Sequence, residues 1–145
     1  MLPLLVGGFA SALQRYGSGA RAREFCRWAA TAWRNAMQNA EADLTAALGE
    51  YLELACQAQN TANIERGRRG ILSLPRAWTV AHIEAAAEPL LQTNDEWEWR
   101  RLLEVYERLD EALLRKLAVR ATSHQDPDIR EAGQDILDWL AGGGL

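Results

Sequence analysis

The side chains with chemistry to offer in this sequence are its arginines. Glu65-Arg66-Gly67-Arg68-Arg69 sets three guanidiniums almost side by side, with Gln59 and Asn63 a short way upstream. A second group, Arg23, Arg27 and Arg34 with Arg15 and Arg21, is accompanied by a single acid, Glu24, in the first forty residues. A guanidinium is planar, permanently charged and forked, which matches phosphate and carboxylate oxygens two at a time. With amide side chains beside it, such a surface can hold a nucleic-acid backbone without reading bases. It can equally hold carboxylates on another protein. On a single strand, three engaged arginines predict a salt dependence with a slope of about −2.

Other residue types offer less. His82 and His124 are the only histidines, and neither has a Cys or His at metal-ligand spacing. Ser11, Ser18, Ser73 and Ser123 fall at helix ends or turns, outside any Gly-x-Ser-x-Gly elbow. Gly67-Arg68-Arg69-Gly70 lacks the lysine and the strand-to-helix setting of a phosphate loop. The acids of Asp95-Glu96-Trp97-Glu98 and of Glu104 to Glu111 have helix-surface spacing, with Glu104–Arg108 and Glu111–Arg115 expected as i,i+4 ion pairs. No catalytic residue, cofactor or metal ligand is assigned. Of six tryptophans, Trp28, Trp33, Trp78, Trp99 and Trp139 fit inward positions. Trp97, two residues from Trp99, points elsewhere on the helix, either outward as an interface anchor or under a kink at Pro89.

The elements that must position these residues all read as helices. The spacing predicts one over Pro3 to Tyr16, a second over Ala20 to Gln38 and a third from Glu41 to Gly70. The Asn39-Ala40-Glu41 junction has neither glycine nor proline, so the second and third are separate helices or one bent rod. On the third, Leu44, Leu48, Tyr51, Ala55, Ala58 and Ala62 make an apolar stripe that continues into Arg66 and Arg69. Gly70 is its expected stop. Ile71 to Pro75 is the clearest break in the chain. A fourth helix from Pro75 is kinked or ended by Pro89. Thr93-Asn94-Asp95-Glu96 caps a fifth, Asp110 a sixth, and Asp126-Pro127 a seventh that Gly142-Gly143-Gly144 stops.

The expected fold is therefore all-α: one helical domain over residues 1–145, a compact bundle or short stack of about seven helices. At 145 residues the chain is long enough to bury a core without staples. Cys26 and Cys56 sit among apolar neighbours and read as reduced core residues, which suits the cytoplasm. The apolar run Leu2 to Phe9 lacks a basic start and is too short to span a bilayer. Charge divides unevenly: residues 1–80 hold nine arginines against six acids, residues 81–145 seven bases against fourteen acids.

His124-Gln125-Asp126-Pro127-Asp128-Ile129-Arg130-Glu131-Ala132 resembles the start of a HEAT-type repeat helix, an Asp-Pro turn followed by Asp-hydrophobic-Arg-x-Ala. The resemblance covers residues 124–140, occurs once, and implies HEAT-like hairpins at the C-terminal end and a binding scaffold rather than an enzyme. The expected function is a non-catalytic adaptor or subunit making protein–protein contacts within a larger assembly. The alternative is a small helical subunit of a nucleic-acid effector complex, similar in size and composition to CRISPR small subunits. The contact residues expected are Arg66, Arg68, Arg69, Gln59, Asn63, Arg23, Arg27 and Arg34, with Trp97 at a protein interface.

Overall fold

A computed structural model describes residues 19–144. Six helices account for 84% of them, and no strand occurs among the described residues. They are α1 (Ala20–Ala55), α2 (Thr61–Ser73), α3 (Arg76–Leu91), α4 (Glu96–Leu109), α5 (Glu111–Thr122) and α6 (Pro127–Ala141). The helix expected over Pro3 to Tyr16 lies outside the described residues. The described residues fall into two compact units that divide between Asp43 and Leu44, and the 71–75 connection falls inside the second.

Four of the helix starts are written locally. Asn60, Asp95, Asp110 and Asp126 each turn a side-chain oxygen onto a backbone N–H of the first turn, at 3.1, 2.8, 3.1 and 2.8 Å. Pro127 then supplies the N1 position of α6, where its missing N–H costs nothing. Pro89 lies inside α3, which runs only two residues beyond it, to Leu91.

The largest departure from the sequence reading is at Cys56 to Asn60. The junction near residue 40 is continuous helix, and the break comes instead between Ala55 and Thr61. Neither glycine nor proline marks it. Asn60 caps α2, the Asn63 Nδ2 donates to Gln57 Oε1 at 3.1 Å, and Arg101 Nη2 donates to the Ala58 carbonyl at 3.3 Å. The Asn60 and Arg101 side chains thus take up backbone groups at the break, and the Asn63–Gln57 bond ties the two sides of it together. Gly70 is accordingly inside α2 rather than at its end, and the Leu44 stripe does not run on into Arg66 and Arg69.

In the second unit α4 is central, touching α2, α3, α5 and α6, while α5 and α6 share the most extensive contact. Leu48, Leu52 and Ala55 bring the end of α1 into the same core as Ile71, Ile83, Trp99, Leu102, Leu114 and Ile129. Two glycines permit the closest approaches. A Cβ on Gly67 would lie 2.4 Å from Ala55 N and 2.5 Å from Tyr51 O, and one on Gly133 2.6 Å from Ala118 O. α2 and α6 therefore seat directly on the backbone of α1 and α5. Trp28, Trp33 and Trp139, expected inward, are exposed.

Candidate binding surface

α2 buries Ile64, Gly67, Arg68 and Ile71, a stripe of helical spacing. Arg68 therefore occupies a core position, 9% exposed, whereas Arg66 and Arg69 are exposed. A 200° turn separates Arg66 from Arg68, and about 60° separates Arg66 from Arg69. The three guanidiniums adjacent in sequence are thus sorted into one inward and two outward.

The inward one belongs to an ion network. Arg68 Nη1 pairs with Glu65 Oε1 at 3.0 Å, and Arg68 Nη2 with Glu104 Oε2. Arg101 Nη1 reaches both Glu104 oxygens, at 3.1 and 2.9 Å, and Arg108 Nη1 lies 3.6 Å from Glu65 Oε2. Glu104 is thus shared by Arg68 and Arg101 in place of the expected Glu104–Arg108 pair, whereas Glu111–Arg115 forms as expected at 3.1 Å. The Arg68 hydrogen bond, with Arg108 nearby, holds the Glu65 carboxyl below its ordinary pKa. The Nε atoms of Arg68 and Arg101 are buried with no hydrogen-bond partner among the described residues, so the network is not saturated. Cys56 lies close to it, a free buried thiol pushed up to about 12 by desolvation first and by Glu98 second. At that pKa it stays protonated and inert.

Most other cations of the second unit are paired as well. In the second unit Arg76, Arg100, Arg101, Arg108, Arg115, Lys116 and Arg120 all have carboxylate partners. Arg130 spends its guanidinium on the carbonyls of His124 and Gln125. Arg66 and Arg69 have no carboxylate partner among the described residues; Arg69 Nε makes only a 3.4 Å bond to the Glu65 carbonyl. Gln59 is exposed, while Asn63 is half-buried and committed to Gln57 and Asn60. Trp97 is 47% exposed, with the Arg101 guanidinium 6.0 Å from its ring centre. Arg23, Arg27 and Arg34 are exposed on α1 in the first unit.

The sequence reading missed Glu65 and Glu104 as the partners that withdraw Arg68, and Arg101 and Arg108 as the arginines that share those two carboxylates. The one local signal for this was the placing of Arg68 between Ile64 and Ile71 on an apolar stripe.

A groove of about 370 Å³ runs between α3 and α5, over Leu91, Tyr106 and Leu117. Its charges are matched across it: Lys116 Nζ to Glu84 at 2.8 Å and Arg120 Nη2 to Glu88 at 2.7 Å. The Arg120 hydrogen bond, then that of Gln92, lowers the Glu88 carboxyl to about 2. A depressed carboxyl contributes stability that is present above its ordinary pKa and is lost as pH falls toward the folded value. Both partners are more than a third exposed, so solvent screening keeps that contribution small.

The two histidines are held in opposite tautomers. His82 Nδ1 lies 2.7 Å from the Trp78 carbonyl, which can only accept, so Nδ1 carries the hydrogen. His124 Nδ1 accepts from the Asp126 backbone N–H at 2.9 Å, so its hydrogen is on Nε2, directed at Asn94 Oδ1 at 2.9 Å. His124 thereby ties the α3–α4 loop to the α5–α6 loop. Nitrogen-15 chemical shifts at neutral pH are expected to show protonated Nδ1 for His82 and protonated Nε2 for His124; the same tautomer at both would contradict this geometry. Among the described residues no group of three or more His, Cys, Asp or Glu is placed to hold a metal ion, and no helix is long and apolar enough to cross a membrane.

Compared with known proteins, the sequence matches no family model, and no curated protein or solved structure matches it.

Proposed function

We propose that the protein is a non-catalytic helical adaptor, a subunit whose Arg66–Arg69 face docks on carboxylates of a protein partner. The observation that carries the reading is the contrast on α2. Arg68 is paired with Glu65 and Glu104, while Arg66 and Arg69 stand exposed on the outward face with no carboxylate of the described chain to meet. Seven other cations of the second unit find carboxylates, and Arg130 is held by two backbone carbonyls, so Arg66 and Arg69 are the least engaged of the second unit's described cations. Trp97, half exposed on α4 with Arg101 against its ring, adds an aromatic anchor of the kind that dominates interface energies. The α5–α6 hairpin, capped by Asp126-Pro127 and closed on Gly133, supports the HEAT-type scaffold reading.

The phosphate alternative loses a contact in this arrangement. With Arg68 withdrawn, two arginines remain to engage a single strand, and the expected salt slope falls from about −2 to about −1.4.

Arg66→Glu with Arg69→Glu tests both readings in the assembly purified from its native source. The expected result is loss of a protein partner on pull-down, with the far-UV circular dichroism and melting temperature unchanged. Retention of every protein partner rejects the adaptor reading. Loss of bound nucleic acid instead, with the shallow salt slope above, would establish the alternative.

A further inference from the structure

α1 carries a second candidate surface, which uses neither Arg66, Arg69 nor Trp97. Every residue from Ala30 to Asp43 is exposed. The pattern there is not that of a solvated helix. Cys26, Ala30, Trp33, Met37, Ala40 and Leu44 recur at alternating steps of four and three, the a/d positions of a seven-residue repeat. Trp33 and Met37, in the middle of this seam, are 43% and 53% exposed. A seam of this width and period fits another helix better than it fits a small ligand or a sheet.

The charges say which helix. From Ala20 to Arg34 there are four arginines against Glu24; Asn35 to Ala40 is uncharged; Glu41 and Asp43 follow with no base between them. A parallel copy of α1 sets like charges at the same level. An antiparallel copy sets the basic end of each helix against the acidic end of the other, and two-fold symmetry makes the match twice. The heptad register agrees. Arg34 and Glu41 both flank the seam at e positions, and antiparallel helices bring e positions together. Met37 then faces the small side chain of Ala40 in the partner subunit, and Arg34 lies beside Glu41 of the partner subunit. Within one helix Arg34 and Glu41 are seven residues, about 10 Å, apart, too far for a direct pair.

We infer that α1 pairs with α1 of a second copy, antiparallel, along Trp33, Met37 and Ala40. The test is sedimentation equilibrium on the full chain across the micromolar range, with circular dichroism as the control for folding. The wild-type chain is expected at twice its monomer mass. Met37→Asp, which places a carboxylate in the seam but touches no core residue, is expected to be monomeric with unchanged helicity. Arg34→Glu is expected to weaken association roughly tenfold, since it replaces two attractive contacts by two repulsive ones. Arg34→Glu combined with Glu41→Arg is expected to restore it. A wild-type monomer at all concentrations, or a Met37→Asp dimer, overturns the pairing. A single charge reversal without effect, or a double variant that stays weak, overturns the antiparallel register.

Discussion

Trp99→Ala is expected to destabilise the protein by about 3–5 kcal/mol, whereas Trp97→Ala, two residues away, is expected to change stability by less than about 0.5 kcal/mol. Trp99 is 2% exposed and lies in the core with Leu102, Leu103 and Tyr106. Its ring also meets His124 edge-on at 5.2 Å between centroids and carries the Arg120 guanidinium 5.5 Å from its centre. Removing it opens a cavity under α4 that backbone relaxation fills only in part, and it strips one wall from the loop that His124 ties down. Among the described residues Trp97 has no such surroundings; its one ring contact there is Arg101 at 6.0 Å. Urea unfolding of the two variants reads the difference directly. A large loss for Trp97→Ala would make it a packing residue and remove it from the proposed interface. A small loss for Trp99→Ala would mean that the α4 core is not assembled as described.

The second large effect has opposite signs at two glycines. Gly67→Ala is expected to cost about 1–3 kcal/mol, the usual range for overpacking. The new methyl would sit 2.4 Å from the amide nitrogen of Ala55 and 2.5 Å from the carbonyl oxygen of Tyr51, so α2 itself must move off α1. No side chain can rotate away, because the obstacle is backbone. Gly49→Ala, in the interior of α1 with nothing within 4 Å of its Cβ, is expected to stabilise by up to about 1 kcal/mol through helix propensity alone. The pair separates packing from propensity in one experiment. If Gly67→Ala also stabilises, the two helices do not approach as closely as the structure places them.

Interactions completed within one turn were legible in the sequence. Asp110 and Asp126-Pro127 announce helix starts because an N-cap needs only its own side chain and the next two or three amides, and the Thr93-Asn94-Asp95-Glu96 box marks a third start with the cap at Asp95 rather than Thr93. The same reach explains why the Glu111–Arg115 pair could be foreseen. Periodicity settled the all-helical class and the inward place of Trp99, since an amphipathic stripe is a property of consecutive residues.

What only the tertiary structure decided are choices among distant partners. The helix break at Cys56 to Asn60 carries no glycine or proline; it is held in part by Arg101, forty-three residues beyond Ala58. Glu104 has arginines at local spacing on both sides, and Arg68, thirty-six residues earlier, takes a share of it only because α2 packs on α4. That choice turns a run of three similar arginines into one buried network member and two exposed cations. Trp97 and Trp99 were separable by helix angle, but which of them met a core depended on where α5 and α6 closed over α4. A periodic stripe says which side chains share a face; it takes the packed neighbours to say whether that face is covered. The candidate site was therefore readable as a composition of arginine and tryptophan, and became a surface only when the burial of Arg68 left Arg66 and Arg69 outside.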